Sequence, residues 1–300
     1  MLTRFAPSPT GRLHLGHALA AKEAFGAGPC LLRIEDIDHT RCKAEYTRGI
    51  YEDLDWLGFD WPLPVRVQSR HYMDYAKVVA ELLERGLAYP CDLTRSELKD
   101  GQRTNRDAQM SAAEFMTYFS SQDSTPRTKP TLPHAIRLNL TTALTFMSDY
   151  SLIFMESGGV SDDGDERDDG DDKVTEDWSE LGEKREMNAK SALSDWATSG
   201  RPDPIIARKD IGVSYHIAVT HDDHLQAITH IVRGRDLFEQ TPLHVLIQRL
   251  MGWRTPTYYH HTLLTHDTGE KLSKRGLDTS LQSLRENGLT AAQVLAMARP

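Results

Sequence analysis

The sequence predicts an α/β fold with a parallel sheet and an inserted subdomain. Three observations predict it: short apolar runs typical of buried strands, helical apolar stripes between them, and a central region where both patterns are weak. Because parallel strands need crossover connections, which are usually helices, the alternation favours a parallel sheet. The weak pattern places the inserted subdomain at about 92–200.

The first part of the chain is predicted to contain two strands and three helices. The strands are Leu2–Phe5 and CLLRIE at 30–35, and the first helix begins near His14 to His17. Two helical stripes then end at Gly58 and Gly86, because glycine readily adopts the left-handed conformation that closes a helix. The stripes consist of Tyr46, Ile50, Leu54 and Leu57, and of Tyr72, Ala76, Val79 and Leu83.

The last third of the chain repeats this alternation. ITHIVRG at 228–234 alternates like a strand. Thr241 is the predicted N-cap of the next helix, with Pro242 at its first position. Thr290 and Gln293 are the predicted capping box of a last short helix.

The negative charge of the chain is concentrated in one segment. The formal net charge is −9, and residues 156–186 contain 14 Asp or Glu against 4 Lys or Arg, which leaves +1 for the rest. The run DDGDERDDGDD at 162–172 has no apolar residue and cannot bury enough surface to offset its ordering entropy. We expect a disordered acidic stretch at about 156–186, and the remaining charge is compatible with an RNA-facing surface.

Composition also argues against several classes of protein. The start, MLTRFAPSPTG, has no apolar signal-peptide core, and no apolar run is long enough to cross a bilayer. Cys30, Cys42 and Cys91 lie far apart, which excludes a disulfide framework. We therefore expect a cytoplasmic protein with reduced cysteines and no membrane partner.

Two short motifs carry the strongest functional signal. HLGH at 14–17 follows a predicted strand and opens a helix, and KLSKR at 271–275 follows turn residues near the C-terminus. Each alone has a structural explanation, since two histidines three apart occur by chance and KLSKR also suits a solvated basic loop. Together, in this order, they are much more specific.

The chain closely resembles the glutamyl-tRNA synthetase group of class I aminoacyl-tRNA synthetases. The resemblance lies in RFAPSPTGRLHLGH (4–17), LRIEDID with Arg41 (32–41), YHIAVTHDDHLQAITHIVRGRDL (215–237) and KLSKR, and it is poor between about 95 and 201. It implies a Rossmann-type class I synthetase catalytic core. Its two halves would be 1–91 and 201–300, with an acceptor-type subdomain inserted at 92–200.

One branch of this group matches better than the others. Only 25 residues, 276–300, follow KLSKR, so we expect no anticodon-binding domain. The resemblance is then to the truncated glutamyl-queuosine tRNA(Asp) synthetases, which attach glutamate to the queuosine base at the wobble position of tRNA(Asp). Val219 agrees, since full-length synthetases commonly carry Asn there. We expect L-glutamate and queuosine-containing tRNA(Asp) as partners, and a monomer.

The resemblance implies an ATP site built on the two motifs. Adenylate formation needs positioning and charge stabilisation rather than a protein nucleophile. The implied ATP-binding residues are His14, Gly16, His17, Lys271, Ser273 and Lys274. The two histidines and the two lysines would be catalytic. The histidines would donate hydrogen bonds to phosphate oxygens at a helix N-terminus, and the lysines would neutralise the charge that builds up on the leaving pyrophosphate. We expect Mg²⁺ carried by ATP without a dedicated protein cage.

The resemblance also implies a glutamate pocket. Its residues would be Arg4, Ala6, Ser8, Glu35, Tyr215 and Arg233. Two arginines suit the two carboxylates of glutamate, because a guanidinium binds a carboxylate bidentately, and a carboxylate suits the ammonium group. From the residues alone, Glu35 is also open to an ion pair with Arg33 or Arg41.

No protein-bound metal is predicted. Many members of the truncated branch begin a zinc site with Cys-x-Cys, but here Leu93 takes the second position and no cysteine follows Cys91. We expect Cys91 to be a small buried residue. Four histidines have suitable ligand chemistry, but their spacing does not match a compact site: His216, His221, His224 and His230.

Three other functions stay open at this point. One is a minimal glutamyl-tRNA synthetase that charges the 3′ end of tRNA(Glu), another a non-catalytic RNA-binding paralogue, and the third an unrelated nucleotidyltransferase with an HxGH motif. Basic residues between 95 and 137 suit either phosphate contacts or ordinary solvated charge: Arg95, Lys99, Arg103, Arg106, Arg127, Lys129 and Arg137.

Overall fold

Strands and helices alternate through most of the chain. The computed structural model describes residues 1–93, 97, 109–120, 131–157, 184–264 and 280–299. The strands are β1 (Thr3–Phe5), β2 (Cys30–Ile34), β3 (Arg66–Val67), β4 (Ala88–Cys91), β5 (Ala135–Leu138), β6 (Ile153–Glu156), β7 (Arg185–Asn188), β8 (Ile205–Ala207), β9 (His230–Gly234) and β10 (Thr257–His261). The helices are α1 (Leu15–Gly26), α2 (Ala44–Leu57), α3 (Tyr72–Glu84), α4 (Ala112–Ser120), α5 (Leu140–Phe146), α6 (Ala189–Thr198), α7 (Tyr215–Leu225), α8 (Thr241–Leu250), α9 (Leu281–Glu286) and α10 (Ala291–Met297).

Parallel strands from both ends of the chain form the centre of the fold. One sheet has the order β1-β2-β3, and another the order β7-β6-β10-β9 with β7 antiparallel at its edge. The N–H groups of Thr229 and His230 donate to the carbonyl of Leu2 at 3.0 and 3.1 Å, which joins the start of β9 to the start of β1. Ligands in such sheets bind beyond the carboxyl ends of the strands, where β1 and β9 end together.

A smaller antiparallel sheet has the order β4-β5-β8. Its outer strands lie outside 92–200, whereas β6 and β7, which lie inside that range, belong to the sheet of β9 and β10. Strand pairing therefore does not follow the expected borders at 91 and 201. The division into domains stays a prediction.

Two apolar clusters hold these layers together. One surrounds α1, α2 and the first two strands, where Leu19, Ile34 and Ile50 are at most 1% exposed. The other packs α3, α7 and α8 against the remaining strands, with Tyr75 and Tyr258 fully buried. Each fully buried Leu or Ile contributes roughly 1.5–3 kcal/mol, so the clusters fix how the strand ends are placed.

Most predicted helix boundaries are confirmed. α2 ends at Gly58 with φ +83°, and Gly86 follows α3 with φ +67°. His14 is the N-cap of α1, and Thr290 with Gln293 forms the capping box of α10. These signals are local, which is why the sequence alone predicts them.

The predicted N-cap of α8 is wrong. Gln240 occupies that position, and Thr241 is already helical with φ −57°. The reason is the 3₁₀ helix Arg235–Gln240, which runs directly into α8. The Thr241 hydroxyl accepts a hydrogen bond from Arg233 instead of capping the helix.

The acidic stretch is folded at both ends, so its predicted borders are wrong. Glu156 ends β6 and pairs with Arg185 in β7. Phe154 and Met187 are buried and lie opposite each other in the pair, which explains why both strands belong to the folded core. The acidic centre at 162–172 lies outside the described residues.

Candidate active site

The turn before α1 is closed by two histidine rings. Nδ1 of His14 accepts the N–H of Gly16 at 3.1 Å, and Nδ1 of His17 accepts the N–H of His14 at 3.2 Å. The ring centroids are 4.0 Å apart. Because each Nδ1 accepts a hydrogen bond, each neutral ring carries its proton on Nε2, the atom that a phosphate oxygen would need as a donor.

The turn leaves little room for a side chain at Gly16. A Cβ there would lie 3.0 Å from Cε1 and 3.2 Å from Nδ1 of His14. An alanine would therefore press on the capping ring.

Lys271, Ser273 and Lys274 lie outside the described residues. The chain that follows them returns to the HLGH turn, where Ser280 forms an antiparallel bridge with His14. The N–H of Leu281 also donates to the carbonyl of Leu13 at 2.9 Å. One end of the segment that carries KLSKR is thus fixed beside the histidines.

Arg4 is held on the sheet by Asp223 of α7. Its Nε donates to Asp223 Oδ1 at 3.1 Å, and its Nη1 donates to the carbonyl of Val232 at 3.3 Å. Nη2 of Arg33 donates to the same Oδ1 at 2.6 Å. One buried carboxylate therefore serves two arginines.

Glu35 follows β2 and lies beside the segment that contains Ala6 and Ser8. Its N–H donates to the carbonyl of Pro7 at 3.2 Å, which brings that segment to the carboxyl end of β2. The turn-rich APSPTG run thus leads from β1 past Glu35 toward the HLGH turn.

The Glu35 carboxyl group makes no tight ion pair among the described residues. Its Oε1 lies 3.7 Å from Nη1 of Arg33, beyond hydrogen-bond range, and has no hydrogen-bond partner in this part of the chain. Arg41 pairs with Asp38 instead, at 2.8 Å. Burial raises the pKa of Glu35 to about 7, although the charges of Arg33 and Arg4 oppose the rise.

The charges of Arg4, Arg233 and Glu35 all act on the Tyr215 hydroxyl. It is the first residue of α7, whose N-cap is Ser214. Burial, and next the Glu35 charge, raise the pKa of Tyr215 to about 12, while Arg233 and Arg4 lower it. The phenol therefore stays protonated at neutral pH and is a hydrogen-bond donor.

Arg233 is held by uncharged groups. Its Nε donates to His260 Nε2 at 3.0 Å, its Nη1 to His244 Nδ1 at 3.2 Å, and its Nη2 to the Thr241 hydroxyl at 2.7 Å. The guanidinium also lies 5.2 Å from the ring centroid of Tyr258. No carboxylate of the described residues forms an ion pair with it. The candidate pocket thus contains a buried cation that has no counter-ion among the described residues.

Sequence reasoning missed the buried groups that support these residues. Asp223 holds Arg4, while Asp222 forms an ion pair with Arg66 at 2.7 Å and accepts a hydrogen bond from the Tyr75 hydroxyl at 2.8 Å. His260 was not identified at all. Its only signal is strand register, which pairs it with Arg233 across β9 and β10.

Among the described residues, no group of three or more His, Cys, Asp or Glu side chains could hold a metal ion. The rings of His221 and His224 pack on Trp253, and His216 bonds to His244. Cys91 is buried in β4, as predicted.

One of the candidate RNA contacts is structural. Arg137 is buried in β5 and donates to the carbonyl of Asp203, so it is not available to phosphates. The other six basic residues of that group lie outside the described residues. Within the described ranges, no helix is long and apolar enough to span a membrane.

Known proteins are similar to this sequence over nearly its whole length. The Glutamyl-Q tRNA(Asp) synthetase of Rhodobacter capsulatus is 35% identical over 98% of both chains. The protein of the same name from Nitratidesulfovibrio vulgaris is 32% identical over 97% of this chain and 83% of its own. The glutamate–tRNA ligase of Aquifex aeolicus is 32% identical over 95% of this chain, which spans 54% of that ligase.

The fold has solved counterparts. The structure of a glutamate tRNA ligase from Elizabethkingia meningosepticum, in complex with its amino acid, matches with a TM-score of 0.60 at 23% identity, over 96% of this chain and 53% of that one. The profile described as tRNA synthetases class I (E and Q), catalytic domain, matches residues 1–153 and 195–299. These matches confirm the predicted class I catalytic core, and the chain belongs to the class I (E and Q) tRNA synthetase family.

Proposed function

We propose that this synthetase activates L-glutamate with ATP as glutamyl-adenylate and transfers the glutamyl group to the queuosine base at the wobble position of tRNA(Asp). The observation that carries the glutamate part is the grouping of Arg4, Glu35, Tyr215 and Arg233 at the carboxyl ends of β1, β2 and β9. Two cations, one acceptor carboxylate and one phenol donor match the two carboxylates and the ammonium of glutamate.

In the first step the α-carboxylate of glutamate attacks the α-phosphate of ATP, and pyrophosphate leaves. Arg4 and Arg233 would hold the carboxylates, Glu35 the ammonium and Tyr215 a carboxylate oxygen, with Ala6 and Ser8 lining the same pocket. Glu35 suits this role because its Oε1 is buried and accepts no hydrogen bond from the described residues.

The ATP site would be built on the HLGH turn. His14 and His17 would donate from Nε2 to phosphate oxygens at the N-terminus of α1, and Gly16 keeps the turn narrow. Lys271, Ser273 and Lys274 would complete it and stabilise the departing pyrophosphate. Mg²⁺ would arrive with ATP and spread the phosphate charge.

Relatives support the choice of acceptor. The two proteins named Glutamyl-Q tRNA(Asp) synthetase match along most of their length, and Val219 stands where full-length glutamyl-tRNA synthetases commonly have Asn. Transfer would release AMP as the glutamyl group passes to queuosine. We propose a cytoplasmic monomer without zinc for this reaction.

The acceptor is tested with labelled glutamate. Purified tRNA(Asp) with queuosine, tRNA(Asp) without it, and tRNA(Glu) are incubated separately with enzyme and ATP. Label on the queuosine-containing tRNA(Asp) alone is expected. Label on tRNA(Glu) would instead indicate a glutamate–tRNA ligase, the second candidate, which the match to the Aquifex aeolicus ligase favours.

A second assay separates catalysis from binding. Glutamate-dependent exchange of pyrophosphate into ATP is expected without any tRNA. Its absence from folded protein would refute the activation step and leave a non-catalytic RNA-binding paralogue.

A further inference from the structure

The two arginines of the proposed pocket are held in opposite ways. Arg4 has a carboxylate partner, Asp223, whereas the three side-chain acceptors of Arg233 are His244, His260 and Thr241. A buried guanidinium normally needs a counter-ion, because its desolvation is costly. Arg233 is only 5% exposed and has none among the described residues.

The proton positions on the two histidines follow from the arginine. A guanidinium can only donate, so His260 Nε2 and His244 Nδ1 accept and carry no proton. The proton of His260 then lies on Nδ1, which donates to Glu156 Oε2 at 2.7 Å. The proton of His244 lies on Nε2, which donates to His216 Nδ1 at 3.0 Å. The second nitrogen of each ring is thus also hydrogen-bonded, to Glu156 in His260 and to His216 in His244.

We propose that His244 and His260 are positioning residues for Arg233. As neutral acceptors they aim the guanidinium without neutralising it, so that a carboxylate of bound glutamate becomes its counter-ion. This inference rests on the proposed function.

The placement of Glu156 supports this assignment. Its two carboxylate oxygens accept from the backbone N–H of His260 at 3.0 Å and from the His260 ring. The negative charge therefore orients the ring but stays one imidazole away from Arg233. A direct contact would pair the guanidinium inside the protein, as Asp223 does for Arg4 and Arg33.

Burial keeps both rings uncharged. His244 and His260 are each 1% exposed, and burial lowers the pKa of both. The charge of Arg233 lowers it further, although Glu156 opposes the effect at His260. A protonated ring could not accept from Arg233 and would repel it.

The test compares variants that keep or remove the acceptor. In His244→Asn the amide oxygen can replace Nδ1, whereas His244→Leu removes the acceptor at similar volume. In glutamate-dependent pyrophosphate exchange, His244→Leu should raise the KM for glutamate about tenfold, as expected for a lost charge-assisted hydrogen bond. The KM for ATP should stay within about twofold, and His244→Asn should recover most of the glutamate KM.

His260 gives an independent pair of variants with a matched control. His260→Gln keeps an acceptor near the Nε2 position, and His260→Leu removes it. The control is His261→Gln on the next residue of β10, whose ring bonds to the Thr262 carbonyl and is also buried. The control should keep the KM for glutamate within about twofold. If His260→Leu does not fold, because Glu156 loses the ring N–H of His260, the His244 pair decides.

Two analogues identify the carboxylate that Arg233 holds. L-Glutamine lacks the γ-carboxylate and glutamate α-amide lacks the α-carboxylate, and both are measured as competitive inhibitors of exchange. In His244→Leu, inhibition by one analogue should weaken as much as glutamate binding does, and inhibition by the other should not change. Equal weakening of both would overturn the inference.

Failure of the inference and failure of the proposed function give different results. If the parent protein shows no glutamate-dependent exchange, both are wrong. If the parent is active and the KM for glutamate is unchanged in His244→Leu and His260→Leu, only the positioning role is wrong.

Discussion

Glu35 shows how burial prepares a single residue for a charged ligand. Its carboxyl group is held without a hydrogen bond to Oε1 among the described residues, and its pKa is raised to about 7 by burial. The folded protein therefore binds a proton at Glu35 more tightly than the unfolded chain does. An arriving ammonium group would remove that cost by pairing with the ionised form.

The pH dependence of glutamate use follows from this residue. Between the ordinary pKa and about 7, protonation competes with ammonium binding, so kcat/KM for glutamate should fall as the pH drops below about 7. Glu35→Gln should lower kcat/KM by about 100-fold and remove this limb of the profile. Exchange kinetics from pH 5.5 to 8.5 provide the measurement.

The same substitution should raise the stability of the protein at pH 8, although it lowers the activity. Ionised Glu35 costs stability above its raised pKa, so the glutamine variant should melt a few degrees higher than the parent at pH 8. The difference should shrink as the pH falls below about 7, and it should vanish below the ordinary pKa of a glutamate, where the carboxyl is protonated in both the folded and the unfolded protein. A variant that is inactive and also less stable at pH 8 would show that Glu35 is structural.

At the scale of helices and strands, local signals were predictable and pairing was not. Gly58, Gly86 and the Thr290–Gln293 box mark helix ends through their own backbone chemistry. The partners of β4 and β6 depend on contacts far along the chain, so the predicted borders at 91 and 201 do not describe the sheets.

In the candidate site, too, some residues were predictable from the sequence and others were not. The residues proposed to face the substrate were found through motifs and resemblance. The residues behind them, such as His244 and Glu156, have no local signature, because a buried polar support is defined only by what it contacts in three dimensions.

The strength of the contact between α2 and α9 should depend on pH. Asp53 of α2 is fully buried, neither carboxylate oxygen has a hydrogen bond among the described residues, and Arg285 of α9 approaches to 3.8 Å. Burial raises the pKa of Asp53 to about 6, and Arg285 and then Arg12 oppose the rise. The carboxyl is thus charged at pH 8 and mostly neutral at pH 5.

Arg285→Met should therefore lower Tm at pH 8 by about 2 °C and have little effect at pH 5. The folded pKa of Asp53 exceeds its ordinary value, so the stability contributed by the protonated carboxyl is lost as the pH rises from that ordinary value through about 6. The arginine offsets part of this cost only where the carboxyl is ionised in the folded protein, which is above about pH 6. Arg285→Lys is the matched control and should keep the parent Tm. An equal loss at both pH values would assign the role of Arg285 to its packing on Trp56.

At the scale of the whole molecule, residues from distant parts of the chain meet at one sheet edge. Arg4 comes from β1, Arg233 from β9, and Glu156 from β6, inside the segment 154–194 that the family profile leaves unmatched. That unmatched segment therefore begins with strand residues that support the proposed pocket. Its acidic part is a separate question, since β6 and β7, which lie on either side of it in the chain, pair directly with each other.

Deletion of the acidic segment tests whether the proposed pocket and the fold are independent of it. Glu156 and Arg185 are directly paired, so a short loop can connect the strands after deletion of 159–182. The deletion removes 11 Asp or Glu and 2 Lys or Arg, a charge equal to the −9 of the whole chain. Tm and the KM for glutamate should stay near the parent values, because the β6–β7 pairing and Glu156 are kept.

Transfer to tRNA should respond differently from activation. Loss of nine negative charges reduces repulsion of the phosphate backbone, so the KM for tRNA(Asp) should fall several-fold at about 50 mM salt and converge with the parent value as salt screens the charges. A full-length variant with the acids of 162–172 changed to Asn and Gln separates charge from length, and it should show most of the same fall. A higher KM for tRNA(Asp) in both variants would mean instead that the acidic segment helps to bind the acceptor.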